Sequence, residues 1–191
     1  MYLDAAVMDM DEALRTLEIV GTRAGQLDLV MQIKGEKQGE VEGESTRSHA
    51  DGKPRHDILG YYLSAGTPSD SESGQAAGRR RYSAMRVVRN SDASTTKLLN
   101  AFRSNEGLTV ELISYRAGGD NTKNAKPLSQ IKLKQARVKT FTLLMGGALP
   151  NTGSVEIFEL TFREINMEAS PQTDTGQRGG ANTFHDTLAT E

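Results

Sequence analysis

The sequence predicts a mainly β protein: a compact two-sheet β-barrel carrying one short α-helix on its outside, preceded by a short N-terminal helix. Three observations lead there. From residue 27 onward the apolar residues recur with a period of two, as in Leu27, Leu29, Met31 and Ile33, the spacing of a strand buried on one face. One interior stretch, residues 92–107, has helical spacing instead. Finally, the last two strands change their buried face partway along. Ile131 and Leu133 share one parity while Ala136, Val138 and Leu144 share the other, and Val155 and Ile157 give way to Phe158, Leu160 and Phe162. Such a swap needs a bulge or bend, the device that takes a strand from one sheet to the next at a barrel corner.

Taken in order, residues 1–26 form an N-terminal extension in which Ala6, Met10, Ala13, Leu14 and Leu17 lie opposite Asp9, Asp11, Glu12 and Arg15, so an amphipathic helix is expected. Gly21 and Gly25 then break it before the first strand. Gly35 and Gly39 allow a turn, and residues 41–45 are expected to pair back on that strand. Residues 46–57 are polar, with Asp51-Gly52 and Pro54, and read as an exposed loop able to reach a neighbour. Residues 58–65 are dense in apolar and aromatic side chains and read as a buried strand, residues 66–78 as a Ser/Gly-rich surface loop, and residues 80–89 as a further strand. Asp92 is the expected N-cap of the interior helix, Thr95, Leu98, Leu99 and Phe102 its apolar stripe, and Gly107 its stop. Residues 108–116 return to strand character, and residues 117–126 connect to the last two strands. The segment 169–191 is rich in Gly, Thr, Gln and Asn and is expected to be a loosely held tail.

Composition narrows the function. With 191 residues and 36% hydrophobic content the chain suits one domain and one modest core. The balance of 23 basic and 25 acidic residues gives a net charge of −2, so no bulk field draws it to nucleic acid or an anionic membrane. Cysteine is absent, which excludes disulfides, thiolate nucleophiles and thiolate zinc sites. No apolar run approaches the roughly 20 residues that span a bilayer, and the acidic start Met1 to Met10 lacks the form of a signal peptide. Export, if it occurs, is expected without a cleaved leader.

Chemistry-bearing clusters are weak. Glu36, Glu40, Glu42 and Glu44 share a parity and could supply an acid and base pair, yet a solvated strand face has the same pattern. His49 and His56 with Asp51 and Asp57 are ligand types without the tight spacing of a helical zinc site. Arg79, Arg80, Arg81, Arg86 and Arg89 could bind phosphate, but few aromatics are interleaved with them. Gly118-Gly119 and Gly146-Gly147 read as hairpin turns, since no Gly-Lys-Ser/Thr follows either. No catalytic residue, metal or cofactor is expected.

Several pieces in fixed order carry a resemblance: Ile33-Lys34-Gly35-Glu36, Gly43-Glu44-Ser45, the strand and helix from Val87 to Ala101, Arg116-Ala117-Gly118-Gly119, Ile131-Lys132-Leu133-Lys134 through Val138, and Glu159-Leu160-Thr161-Phe162. Over residues 27–168 this order resembles the hemolysin-coregulated protein (Hcp) family, the tube proteins of type VI secretion systems. The resemblance implies a self-assembling structural protein: six-membered rings that stack into a tube, a lumen that carries effector proteins, and the spike and sheath of the apparatus as further partners. It implies no catalysis, no nucleic acid and no membrane insertion. The protein would reside in the bacterial cytoplasm before firing and be secreted with the tube. The tail tube of a phage-like contractile particle is the alternative. Lys34, Gly35, Glu36, Gly43, Glu44 and Ser45 are then structural motif residues. Arg47, Arg55 and Asp57 are the expected polar contacts of the 46–57 loop with a neighbouring subunit.

Overall fold

The computed structural model of the chain describes residues 27–49, 51–67, 78–116, 127–146, 153–170 and 180–188, with the isolated positions Asp11, Arg15 and Glu18. The strands are β1 (Leu27–Gly35), β2 (Gly39–Val41), β3 (His56–Asp57), β4 (Gly60–Tyr62), β5 (Ala65–Gly66), β6 (Arg81–Tyr82), β7 (Met85–Asn90), β8 (Leu108–Arg116), β9 (Ser129–Met145), β10 (Ser154–Thr161), β11 (Glu164–Ala169) and β12 (Asn182–Thr187). One helix, α1 (Thr95–Arg103), lies between β7 and β8. The expected N-terminal helix lies outside the described residues apart from those three exposed positions. The 68–77 stretch and the turn glycines Gly118, Gly119 and Gly147 lie outside them as well.

Among the described residues every ladder is antiparallel: ten strands follow the path β2-β1-β8-β9-β10-β7-β4, with β11 on β9, β12 on β11, and β3 on β1, and β5 pairs with β6 apart from them. β9 joins the two sheets. Its first half pairs with β8 and β11, and its second half with β10. The face change read from sequence occurs there: Ile131 and Leu133 are buried, then Ala136, Val138 and Thr140. Between them Gln135 has φ +49°, and against β8 the register slips between Leu108 and Val110, so β9 carries one extra residue, a bulge that re-aims the side chains. A second slip against β10 falls at Glu159/Leu160 and leaves Lys139 without a partner in the ladder. β10 needs no bulge of its own, because Val155, Glu156, Ile157 and Phe158 are all buried and the strand is covered on both faces.

The expected closed barrel is not what the chain forms. The strand path is open, ending at β2 and β4. Residues 56–62 cross between its ends, giving two residues to β1 (Val30↔Asp57, Met31↔His56) and three to β7 (Gly60↔Val88 to Tyr62↔Arg86). The change of partner is abrupt: the Ile58 amide donates to Leu29 O at 3.0 Å and the Leu59 amide to Val88 O at 2.8 Å. A segment that changes sheets within two residues cannot continue either ladder, so the sheets are bridged rather than closed.

Between the sheets lies one apolar cluster that includes Met31, Ile33, Met85, Val87, Leu98, Leu133, Phe158 and Leu160. α1 contributes Leu98 and Ala101 to it and leaves Leu99 and Phe102 exposed, so its buried stripe is narrower than its apolar sequence stripe. Its N-cap is Ser94 rather than Asp92, whose carboxylate instead accepts the Ser94 amide at 2.8 Å. Its end is set before Gly107: Asn105 adopts φ +48°, the left-handed conformation that stops helices and that Asn tolerates. Residues 182–187, expected to be part of a loose tail, pair with β11 over six positions.

Candidate assembly loop and its supporting joint

The motif pieces explain one another once folded. Glu106, buried, accepts the amides of Lys37 and Gln38 through one carboxylate oxygen at 2.7 and 2.9 Å, capping the β1–β2 turn. A Cβ at Gly35 would collide with that carboxylate, and a Cβ at Gly107 would collide with the carboxylate of Glu36. The Glu36 amide in turn donates to Gly107 O at 3.0 Å. Two Gly/Glu pairs therefore interlock, while Lys34 points to solvent.

Gly43 is required for a different reason. Its Cα lies against the Arg55 carbonyl and the His56 ring, leaving no room for a side chain. This approach lets the Ser45 amide bond Arg55 O at 2.8 Å and the Ser45 hydroxyl donate to Asp57 at 2.6 Å. Glu44 accepts the Ala93 amide at 3.3 Å, ahead of α1, where a carboxylate meets the positive end of the helix dipole.

The 46–57 loop has two faces. Arg47 lies inward, pairing with Asp28 at 2.8 Å and stacking 3.9 Å above the Tyr115 ring, with only 8% of its side chain exposed. His49 is buried beside the same ring; burial, then the nearby Arg55 charge, makes it harder to protonate. Arg55, also buried, forks onto both oxygens of Asp51 at 3.0 and 3.2 Å, and that hydrogen bond holds the Asp51 carboxyl below the usual range. Thr46, Ser48, Asp51 to Pro54, and Asp57 are exposed. Of the three expected contact residues, then, Arg47 and Arg55 serve the loop's own fold and Asp57 faces outward.

Behind the loop is a buried polar joint. Arg89 is 1% exposed, and Glu156 and His56 are fully buried. The Arg89 Nε donates to Glu156, and its Nη1 lies 2.7 Å from His56 Nδ1 and 3.2 Å from Asp92. Thr95 donates to the other Glu156 oxygen at 2.7 Å, and His56 Nε2 bonds Val41 O at 2.8 Å. Burial works to raise the Asp92 carboxyl, but contacts with His56 and Ser94 and the Arg89 charge outweigh it and hold it well below the usual range. The joint ties together β2, β3, β7, β10 and the start of α1. In the sequence Arg89 reads as one more strand arginine; its partner Glu156 stands 67 residues further on.

The arginine run does not form one patch. Arg79, Arg80 and Arg81 are exposed, Arg80 pairing with Asp186 at 3.2 Å; Arg86 pairs with Glu159 at 2.9 Å, and Arg89 is buried. The four glutamates diverge, with Glu40 engaged by Lys53 and Gln32. Among the described residues no three His, Asp or Glu side chains form a cation site, and no helix is long and apolar enough to cross a membrane.

Residues 30–169 match a family model described as "Type VI secretion system effector, Hcp". The fold is similar to a solved structure titled "Structure of a type six secretion system protein", at 25% identity with a TM-score of 0.68 over 84% of this chain and 96% of that one. It is similar as well to a "Crystal structure of Hcp protein", at 20% identity and TM-score 0.68 over 86% and 99% of the two chains. The "Secreted protein Hcp3 from Pseudomonas aeruginosa" matches at 17% identity and TM-score 0.57, over 86% and 99%. Among curated proteins nothing matches.

Proposed function

The chain belongs to the Hcp family of type VI secretion, and from that membership we propose that it is the structural subunit of a secretion tube. Six copies close head to tail into a ring, rings stack, and effector proteins travel in the lumen. The protein performs no catalysis. It is made in the bacterial cytoplasm and leaves with the tube, and its further partners are the spike and the sheath.

The observation that carries this reading is the family match over residues 30–169. The loop supports it. Arg47, His49 and Arg55 hold the 46–57 segment in one shape while its outer residues, Asp57 among them, are exposed, and a preformed surface lowers the ordering cost of association. Open sheet edges support it too, since a head-to-tail ring can cover on one subunit what its neighbour presents.

Negative-stain electron microscopy with light scattering tests the proposal. Rings with six-fold symmetry and an open centre, at six times the monomer mass, are the expected result. A protein that stays monomeric at high concentration would sink the tube reading and leave a bridged-sheet binding module in its place.

A further inference from the structure

Three buried side chains of the second sheet face away from the core. On β7 and β10 the residues that enter the central cluster are Met85, Val87, Phe158 and Leu160. Alternation along each strand puts Val88, Val155 and Ile157 on the opposite, outer face. The ladders gather them there: Ile157 lies between Val88 and Thr142, and Val155 between Asn90 and the half-buried Leu144. Yet Val88, Val155 and Ile157 are only 1, 4 and 0% exposed. They are buried within a single chain, so the cover belongs to the same chain.

Among the described residues, β7 and β10 pack chiefly on neighbouring strands of their own sheet, and α1 packs on β9 with Leu98 and Ala101 in the central cluster, on the other side. Of the remaining segments, 68–77, 117–126 and 171–179 contain no Val, Ile, Leu, Met or aromatic residue, and 147–152 contains Leu149 alone of these types. Residues 1–26, ahead of the family match that begins at residue 30, are different. Ala6, Met10, Ala13, Leu17 and Val20 share one face at helical spacing. Asp11, Arg15 and Glu18 lie opposite them on that wheel and are exposed. The point of entry fits as well. The start of β1 adjoins β7 through the crossing residues, since the Ile58 amide bonds Leu29 O and the next amide, Leu59, bonds Val88 O. A link over residues 21–26, with Gly21 and Gly25, reaches up to about 20 Å when extended.

We propose that the outer face of the second sheet is the docking site of the chain's own N-terminal segment. Residues 6–20 lie across β7 and β10 as an amphipathic helix, with Met10, Ala13, Leu17 and Val20 against Val88, Val155 and Ile157. Asp11, Arg15 and Glu18 then form the surface that this side of the subunit presents to its surroundings. An apolar sheet face is thereby closed to other chains, and a charged helix stands in its place. Nothing in this arrangement depends on ring formation.

Methyl NMR of the full chain tests the docking. Nuclear Overhauser contacts are expected between the methyls of Val88, Val155 and Ile157 and those of Met10, Ala13 and Leu17. A soluble nitroxide should leave the three outer-face methyls of the wild type as sharp as those of Val87 in the core. Met10→Glu combined with Leu17→Glu keeps strong helix formers but removes the apolar face. In that variant, nitroxide broadening at Val88, Val155 and Ile157 should rise several-fold while Val87 stays protected. The proposal is overturned if the contacts are absent, if in a mixed sample they join only differently labelled chains, which would make the cover a second copy, or if the double variant leaves the three methyls protected. Should Val87 lose its protection too, the variant has unfolded, and the wild-type contacts decide.

Discussion

At Gly43 the absence of a side chain is what allows the Arg55 carbonyl and the His56 ring to close on the backbone. Gly43→Val should therefore lower stability by about 1–3 kcal/mol, the usual cost of overpacking, measured as a shift of the urea midpoint. Gly39, whose Cβ would meet nothing within 4 Å, offers the contrast: its φ of +72° makes any cost there one of backbone conformation and not of contact. Asp92 supplies the pH dependence at this scale. Its folded-state value lies below the ordinary one of about 3.9 because His56, Ser94 and Arg89 outweigh burial. A depressed carboxyl stabilises the fold above its unfolded value, and that contribution is lost as pH falls through the lower folded value. Asp92→Asn should thus be less stable than wild type at pH 7, and the difference should shrink below about pH 4; a difference independent of pH would show that the Asp92 charge does nothing for the fold.

Among the elements, β9 does most to shape the molecule, and its turning point is Gln135. The parity switch between Leu133 and Ala136 was legible in the sequence, as were the bounds of β8, because both rest on local alternation. The residue that performs the switch was not, since a left-handed glutamine is a response to the two ladders pulling on it and no propensity signals it. The joint was equally hidden: Arg89, His56 and Glu156 are scattered along the chain and meet only after β3, β7 and β10 are assembled. β12 escaped for a related reason, its composition being that of a tail and its pairing supplied by β11. The bulge gives a direct test. Gln135 is exposed, so Gln135→Val removes no buried contact, yet a β-branched residue held at φ +49° should cost about 1–3 kcal/mol. Gln135→Gly should be neutral or stabilising. Equal midpoints for Val and Gly in chemical denaturation would mean that the bulge relaxes freely and does not hold the bend.

For the molecule as a whole the open strand path raises the question of what covers its ends. Among the described residues β2, β4 and β12 each pair on one side only, and β12 carries Phe184, 45% exposed, opposite the exposed Met167 of β11. Unpaired edges with apolar side chains invite association, which folded monomers usually block with charge, bulges or a covering element. The proposed ring would block them by assembly instead. If six copies do so, association stabilises the folded state by mass action, and the thermal midpoint should rise with protein concentration across a hundredfold dilution series. Replacing residues 51–54 with a shorter Gly-Ser link removes the exposed tip of the assembly loop while sparing Arg47, Arg55 and the joint behind them. That variant should keep its far-UV spectrum and cooperative unfolding, run as a monomer on sizing, and show a midpoint independent of concentration. A variant that still formed rings would place the ring contact elsewhere on the surface, with the β12 edge next in line.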